Sequence, residues 1–241
     1  MLHRTLLPGR AASAAALSSA LLASTAFAGP DWDEPTFGDA GNEAGTAQII
    51  TTDGSVNTIR GKLGGNGLLA GDFQDLFVVN IVDPGAFSIS TRLEDGGFAD
   101  FNPMLFLFRL DGLGKGAKAE ALLGNDDFSA NSTAARIGSQ SNDGSGAAVT
   151  QAGLYVIGIS GFASFPLNDF GESLFGTKLF ETGLVVGPDG GLNGFTLGGW
   201  SADGQAGEYV IRITGATGVA IPAPGALALL GCAGLVRRRR R

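Results

Sequence analysis

The chain has 241 residues, 40 of them glycine, with one cysteine, one histidine and a formal net charge of −7. His3 and Cys232 lie near the two ends, so residues 29–221 hold neither; this excludes Ser-His-Asp and Cys-His nucleophile systems there, and any His- or Cys-ligated zinc or copper centre. Seven of the 16 bases (Arg4, Arg10 and Arg237 to Arg241) fall outside that stretch and all 23 acids fall inside it, leaving a net −14 that repels phosphate backbones and argues against a nucleic-acid partner.

Residues 1–28 read as a secretory signal peptide. Arg4 and Arg10 form a positive start, Ala11 to Ala23 a small-residue apolar signal helix, and Ala26, Phe27 and Ala28 an A-x-A cleavage site. An acidic, proline-containing segment follows over 29–46. From 47 to 218, short apolar runs alternate with clusters of Gly, Asp, Asn and Ser, the punctuation of an all-β chain.

Strands are predicted near 56–63, 75–82, 86–94, 103–110, 153–160, 193–200 and 207–214. Phe77, Val79 and Ile81 oppose Val78 and Asn80, while Phe87, Ile89, Thr91 and Leu93 oppose Ser88, Ser90, Arg92 and Glu94; Tyr209, Ile211 and Ile213 oppose Arg212 and Thr214. Met104 to Phe108 is apolar on both faces, which marks a central strand. The expected fold is a two-sheet antiparallel β-sandwich, large enough to bury its own core without a disulfide. The phenylalanines of 162–180 are expected to cover part of it.

Five pieces of this region follow a recognisable order: GDFQDLFVVNIVDPGAFSIST (71–91), FNPMLFLFRLDG (101–112), GNDDF (124–128), AGLYVIGISGF (152–162) and GEYVIRITG (207–215). Together they resemble the bacterial pre-peptidase C-terminal (PPC-like) domain, with an unusual insertion between Phe162 and Leu192. The resemblance implies a jelly-roll-like or immunoglobulin-like sandwich. It further implies an accessory module that performs no catalysis, assists binding or stability on exported proteins, and in some members carries calcium. Here the module stands without a catalytic neighbour.

Hard cations take six to eight oxygens from carboxylates, amides and carbonyls, which Asp/Asn/Gly loops supply. Two groups are candidate calcium ligands: Asp72 with Asp75 before a strand, and Asn125, Asp126 and Asp127 in the NDD loop. Converging strand ends could let the two loops share one ion. The alternative is that these residues are turn formers bonded to their own backbone. A carboxylate pair could in principle hydrolyse a glycoside, but only Trp32, Trp200, Tyr155 and Tyr209 are available to line a sugar cleft, so the chain is not expected to be an enzyme. The glycines of 61–67 lack the GxxxxGK[ST] pattern and read as a hairpin or loop.

The tail, 219–241, contains PAPGALALLGCAGLVRRRRR from Pro222 to Arg241. Gly225 to Val236 is shorter than the roughly 20 apolar residues a helix needs to cross a bilayer unaided, so it suits a short, transient anchor held by the arginines on the cytoplasmic side. Pro222, Ala223 and Pro224, the short hydrophobic helix, and Arg237, Arg238, Arg239, Arg240 and Arg241 resemble the PEP-CTERM sorting signal, with Ala223 where the commoner motif has Glu. That resemblance implies an exosortase-type sorting enzyme as partner, a transient inner-membrane anchor, and delivery to the cell envelope, outer surface or extracellular matrix. The function expected is a structural or adhesive surface protein that engages extracellular polysaccharide, assisted by calcium. The alternative is a carbohydrate-binding module reading a glycan through Trp200.

Overall fold

The computed structural model describes residues 32–64, 71–189 and 192–220; the expected signal helix and the C-terminal sorting segment lie outside them. In chain order the strands are β1 (Trp32–Asp33), β2 (Gln48–Ile49), β3 (Thr58–Lys62), β4 (Gln74–Ile81), β5 (Ser88–Ser90), β6 (Phe98–Ala99) and β7 (Pro103–Leu110). They continue with β8 (Ala119–Asn125), β9 (Arg136–Ile137), β10 (Gly153–Gly161), β11 (Pro166–Leu167), β12 (Gly199–Trp200), β13 (Glu208–Thr214) and β14 (Ala216–Thr217). A single helical turn, α1 (Glu34–Phe37), follows β1. Among the described residues no helix is long and apolar enough to cross a membrane.

Two six-stranded sheets pack face to face as a β-sandwich. Sheet A runs β1-β3-β13-β5-β9, with β6 also on β13; sheet B runs β14-β4-β10-β7-β8, with β2 also on β4. The long pairings are antiparallel, as expected. Two short ones, β1 with β3 and β2 with β4, are parallel. Both belong to residues 32–50, which pair first with sheet A and then with sheet B, and so strap across one end of the sandwich.

Burial separates the two sheets by role. In β13 the inward Tyr209, Ile211 and Ile213 are buried while Glu208 and Thr214 are exposed, because the outer face of sheet A meets water. In β4, β7 and β10 almost every residue is buried, since sheet B is covered on both faces. Its inner face supplies Phe77, Val79, Leu105, Leu107, Ile157 and Ile159 to the core between the sheets. Its outer face supplies Leu76, Val78, Phe106, Phe108 and Val156 to a second core, closed by Leu174, Phe175, Leu179 and Val186. The insertion after Phe162 is therefore a third layer, laid over a sheet face. Phe106 anchors it, with Phe175 at 5.6 Å and Trp200 at 5.7 Å between ring centroids. Glycine at 124 and 158 lets the layers close, since a Cβ at either would come within 3.0–3.4 Å of packed side chains.

Two expectations are corrected and one strand is added. The strand expected over 86–94 is only Ser88–Ser90, because 3-10 turns at Pro84–Ala86 and Leu93–Asp95 trim both ends and leave Leu93 exposed. The strand expected over 193–200 shrinks to Gly199–Trp200. Conversely, Ala119–Asn125 forms a full strand, paired to β7 with a register shift at Leu107/Phe108.

Candidate functional site: a buried cluster of carboxylates

The strap begins with Trp32, whose ring stacks on Phe37 at 3.8 Å and whose Nε1–H donates to Gln48 Oε1 at 2.5 Å. Gln48 in turn donates through Nε2 to the Gly38 carbonyl. These contacts close residues 32–48 into a loop around α1, where Pro35 starts the turn and Gly38, at φ 94°, ends it. Parallel pairing sets Asp33 opposite Arg60, so the next residue, Glu34, falls beside Gly61. Gly61 also pairs with Tyr209 across β3 and β13. A Cβ at Gly61 would overlap the Tyr209 hydroxyl and reach within 2.7 Å of Glu34 Oε2, so this glycine makes room for both side chains.

Asp75 sits near the start of β4 with its side chain in the same inward row as Phe77, against which Tyr209 packs edge-on at 6.5 Å. Asp75 is fully buried. Tyr209 donates its hydroxyl to Asp75 Oδ2 at 2.5 Å, while Asp75 Oδ1 is sealed from solvent with no hydrogen-bond partner. Glu34, Asp39 and Asp75 each place a carboxylate oxygen so that all lie within 4.8 Å of one another; Glu34 and Asp75 are buried and Asp39 is exposed. Asp72 lies beside Asp39, whose charge acts on it. Four carboxylates thus meet at one end of the sandwich, with an opening to solvent on the Asp39 side.

Little positive charge offsets them. Among the described residues the ion pairs join Arg92 to Glu94 and Asp95, and Arg136 to Asp95, and none reaches this cluster. Its hydrogen-bond donors among the described residues include the Tyr209 hydroxyl, the Lys62 backbone N–H, which reaches Glu34 Oε2 at 3.1 Å, and the Ala40 backbone N–H, also to Glu34. Burial, then repulsion from Asp39, pushes Asp72 up to about 7. Burial, followed by the charges of Asp72 and Glu34, raises Asp75 well above the ordinary carboxylate range. Glu34 is also raised, by burial against the opposing pull of the Lys62 N–H. Tyr209 is held far above its usual range by burial and by Asp75. Such a set is satisfied either by protons or by a hard cation.

Of the residues singled out in the sequence, Asp72 and Asp75 therefore stand in one cluster, with Glu34, Asp39 and Tyr209 as members that strand patterning did not reveal. Asn125, Asp126 and Asp127 lie elsewhere. The registers Asp75 to Ile159, Ile159 to Leu105 and Leu105 to Asn125 place Asp75 and Asn125 in one row across β4, β10, β7 and β8. Three strand spacings separate them, about 14 Å, so one ion cannot serve both loops. The Asn125 side chain is engaged on both atoms: Nδ2 donates to the Leu184 carbonyl at 2.7 Å and Oδ1 accepts from Arg136 N–H at 2.7 Å. It fastens the third layer to β8.

Trp200 is half-buried, with its Nε1–H donated to the Asn42 carbonyl at 2.9 Å. Beside it runs an open groove of about 530 Å³, lined by Asn42, Glu43, Lys115, Asp169, Leu197 and their neighbours, with no aromatic face in its walls.

Comparison with known protein families, with curated proteins and with solved structures gives no match for this chain.

Proposed function

We propose that the chain is an exported, non-catalytic surface or matrix protein whose sandwich, of the jelly-roll or immunoglobulin-like kind, binds calcium at Glu34, Asp39, Asp72 and Asp75. The observation that carries the reading is Asp75: a fully buried carboxylate with one oxygen lacking any donor, facing other acids and, among the described residues, joined by no ion pair. Leaving such an oxygen bare costs about 1–3 kcal/mol even for a neutral group and more for a charge. A divalent cation removes that cost and the mutual repulsion together. The donors are hard carboxylate oxygens, with room for water on the Asp39 side, which suits calcium better than a softer metal.

The ligands come from two parts of the chain: Glu34 and Asp39 from the strap, Asp72 just before β4 and Asp75 at its start. Bound calcium would clamp the strap across the end of the sandwich, where β1 and β2 each contribute only two residues of pairing. The role is thus structural and adhesive. The clamp stiffens an exported module, and the acidic surface around it engages extracellular polysaccharide through further cations. The Arg4 to Ala28 segment supports export, and the Pro222 to Arg241 segment supports handling by an exosortase-type enzyme, on the resemblance given above.

The test is calcium titration of the chelator-stripped protein by calorimetry, followed by melting with and without the ion. Binding that raises the melting temperature in wild type, and loses its tight component in Glu34→Gln and Asp75→Asn, is the expected result. A wild-type protein that shows neither heat nor a melting shift overturns the proposal.

A further inference from the structure

We propose a second, independent cation site at Asp126 and Asp127, on the opposite edge of sheet B. It goes beyond the clamp described above and stands on its own residues. Asp126 is only 3% exposed, and Oδ1 of Asp126 and Oδ1 of Asp127 are both sealed from solvent with no hydrogen-bond partner. Two adjacent acids with bare inner oxygens are unusual, because buried carboxylates are ordinarily paired or hydrogen-bonded.

The nearby bases are directed elsewhere. The Arg92 guanidinium lies 3.9 Å over the Phe128 ring and pairs with Glu94 and Asp95. Arg136, also above Phe128, turns its Nε to Asp95. Asp95 thus takes both guanidiniums, and neither Asp126 nor Asp127 has an ion pair among the described residues. Burial pushes Asp126 up to about 7, with Asp127 adding to it, and burial raises Asp127 as well.

The turn that carries them is held from three sides. The Asp127 carbonyl accepts from Gly183 N–H at 2.8 Å, Phe128 N–H donates to the Ala134 carbonyl at 2.9 Å, and Asn125 binds the Leu184 carbonyl. These bonds fix the backbone of the turn, and two of them tie it to the third layer. Two acids make a poorer site than four, with water and backbone carbonyls filling the remaining positions, so the affinity is about tenfold or more below that of the clamp.

The experiment is calcium titration of the full chain at pH 7.5–8 in wild type, in Asp126→Asn/Asp127→Asn and in Glu34→Gln/Asp75→Asn. Wild type is expected to bind two ions in a tight and a weak class. The first variant keeps only the tight class and the second keeps only the weak one. Because the Asn changes are isosteric and the wild-type stoichiometry needs no variant, misfolding does not blur the result. One ion in wild type that Asp126→Asn/Asp127→Asn still binds, or two ions in that variant, overturns this site and leaves the clamp untouched. Loss of the tight class alone from wild type would instead refute the clamp.

Discussion

Replacing Asp75 by Asn tests the cluster most directly, because the change is isosteric and its effect should reverse sign with calcium. In chelator at pH 8, wild type holds a buried carboxylate whose Oδ1 has no donor and whose neighbours Glu34, Asp39 and Asp72 are also acids. Asparagine keeps an oxygen for the Tyr209 hydroxyl and offers an NH₂ to the surrounding carboxylates. Relief of one bare buried oxygen is worth about 1–3 kcal/mol. For a domain of this size each kcal/mol moves the melting temperature by about 2–4 °C, so the variant should melt roughly 2–12 °C above wild type in chelator. Calcium at about a hundred times its dissociation constant stabilises wild type by about 2.7 kcal/mol, and the variant loses the larger part of that gain. Differential scanning fluorimetry in matched chelator and calcium buffers reads both numbers. A variant that melts below wild type in chelator, or that keeps the full calcium gain, refutes the reasoning, since Asp75 would then be an acid already satisfied within the fold.

Without calcium, stability should fall as pH rises from 5 to 8: Asp72 and Asp126 titrate at about 7 in the folded state, and Asp75 and Glu34 are raised too, so the stability they contribute is fully present below about pH 4 and is lost through about 7. Calcium should flatten that slope, and a chelator melting curve that is flat or rising over pH 5–8 would contradict it. Gly61→Ala should cost about 1–3 kcal/mol in urea unfolding, because its methyl must displace the Tyr209 hydroxyl or Glu34, and it should weaken the tight calcium class. Asn125→Ala should cost about 2–4 kcal/mol by stranding the Leu184 carbonyl and the Arg136 N–H, yet leave the tight class unchanged, as titration beside urea unfolding would show.

How much of this was legible in the sequence follows from which residues announce themselves locally. Alternation in β13 and the two-sided apolar run of β7 are direct consequences of sheet burial, and they identified the sandwich. Asp72 and Asp75 stood out because acids before an apolar strand are conspicuous. Glu34 and Asp39 did not, because they reach the cluster through β1 and β2, which are two residues long and carry no period to detect. A usable signal was present in Gly61, a glycine inside a strand, which marks the close approach of another group. The strand β8 escaped because AEALLGN is poor in β-branched residues; it forms because one face meets the inner core and the other meets Phe175 and Leu179 of the third layer. That layer arrives from residues far along the chain.

The proposed site and the proposed export account for each other. Buried acids without bases are a liability for a chain that must fold where free calcium is scarce, and raised carboxylate titration then leaves the strap weakly held. Outside the cell, where modules with millimolar-range calcium affinity are commonly loaded, the same acids become the clamp. The strap lies just after the expected signal cleavage at Ala28 and pairs with β3 and β4, which come later in the chain. Its two ligands, Glu34 and Asp39, would therefore complete the site only after the body had supplied Asp72, Asp75 and Tyr209. On this argument calcium acts late, locking the end of a sandwich whose core between Phe77 and Ile213 already holds it together, and its removal should loosen residues 32–50 before it unfolds the sheets.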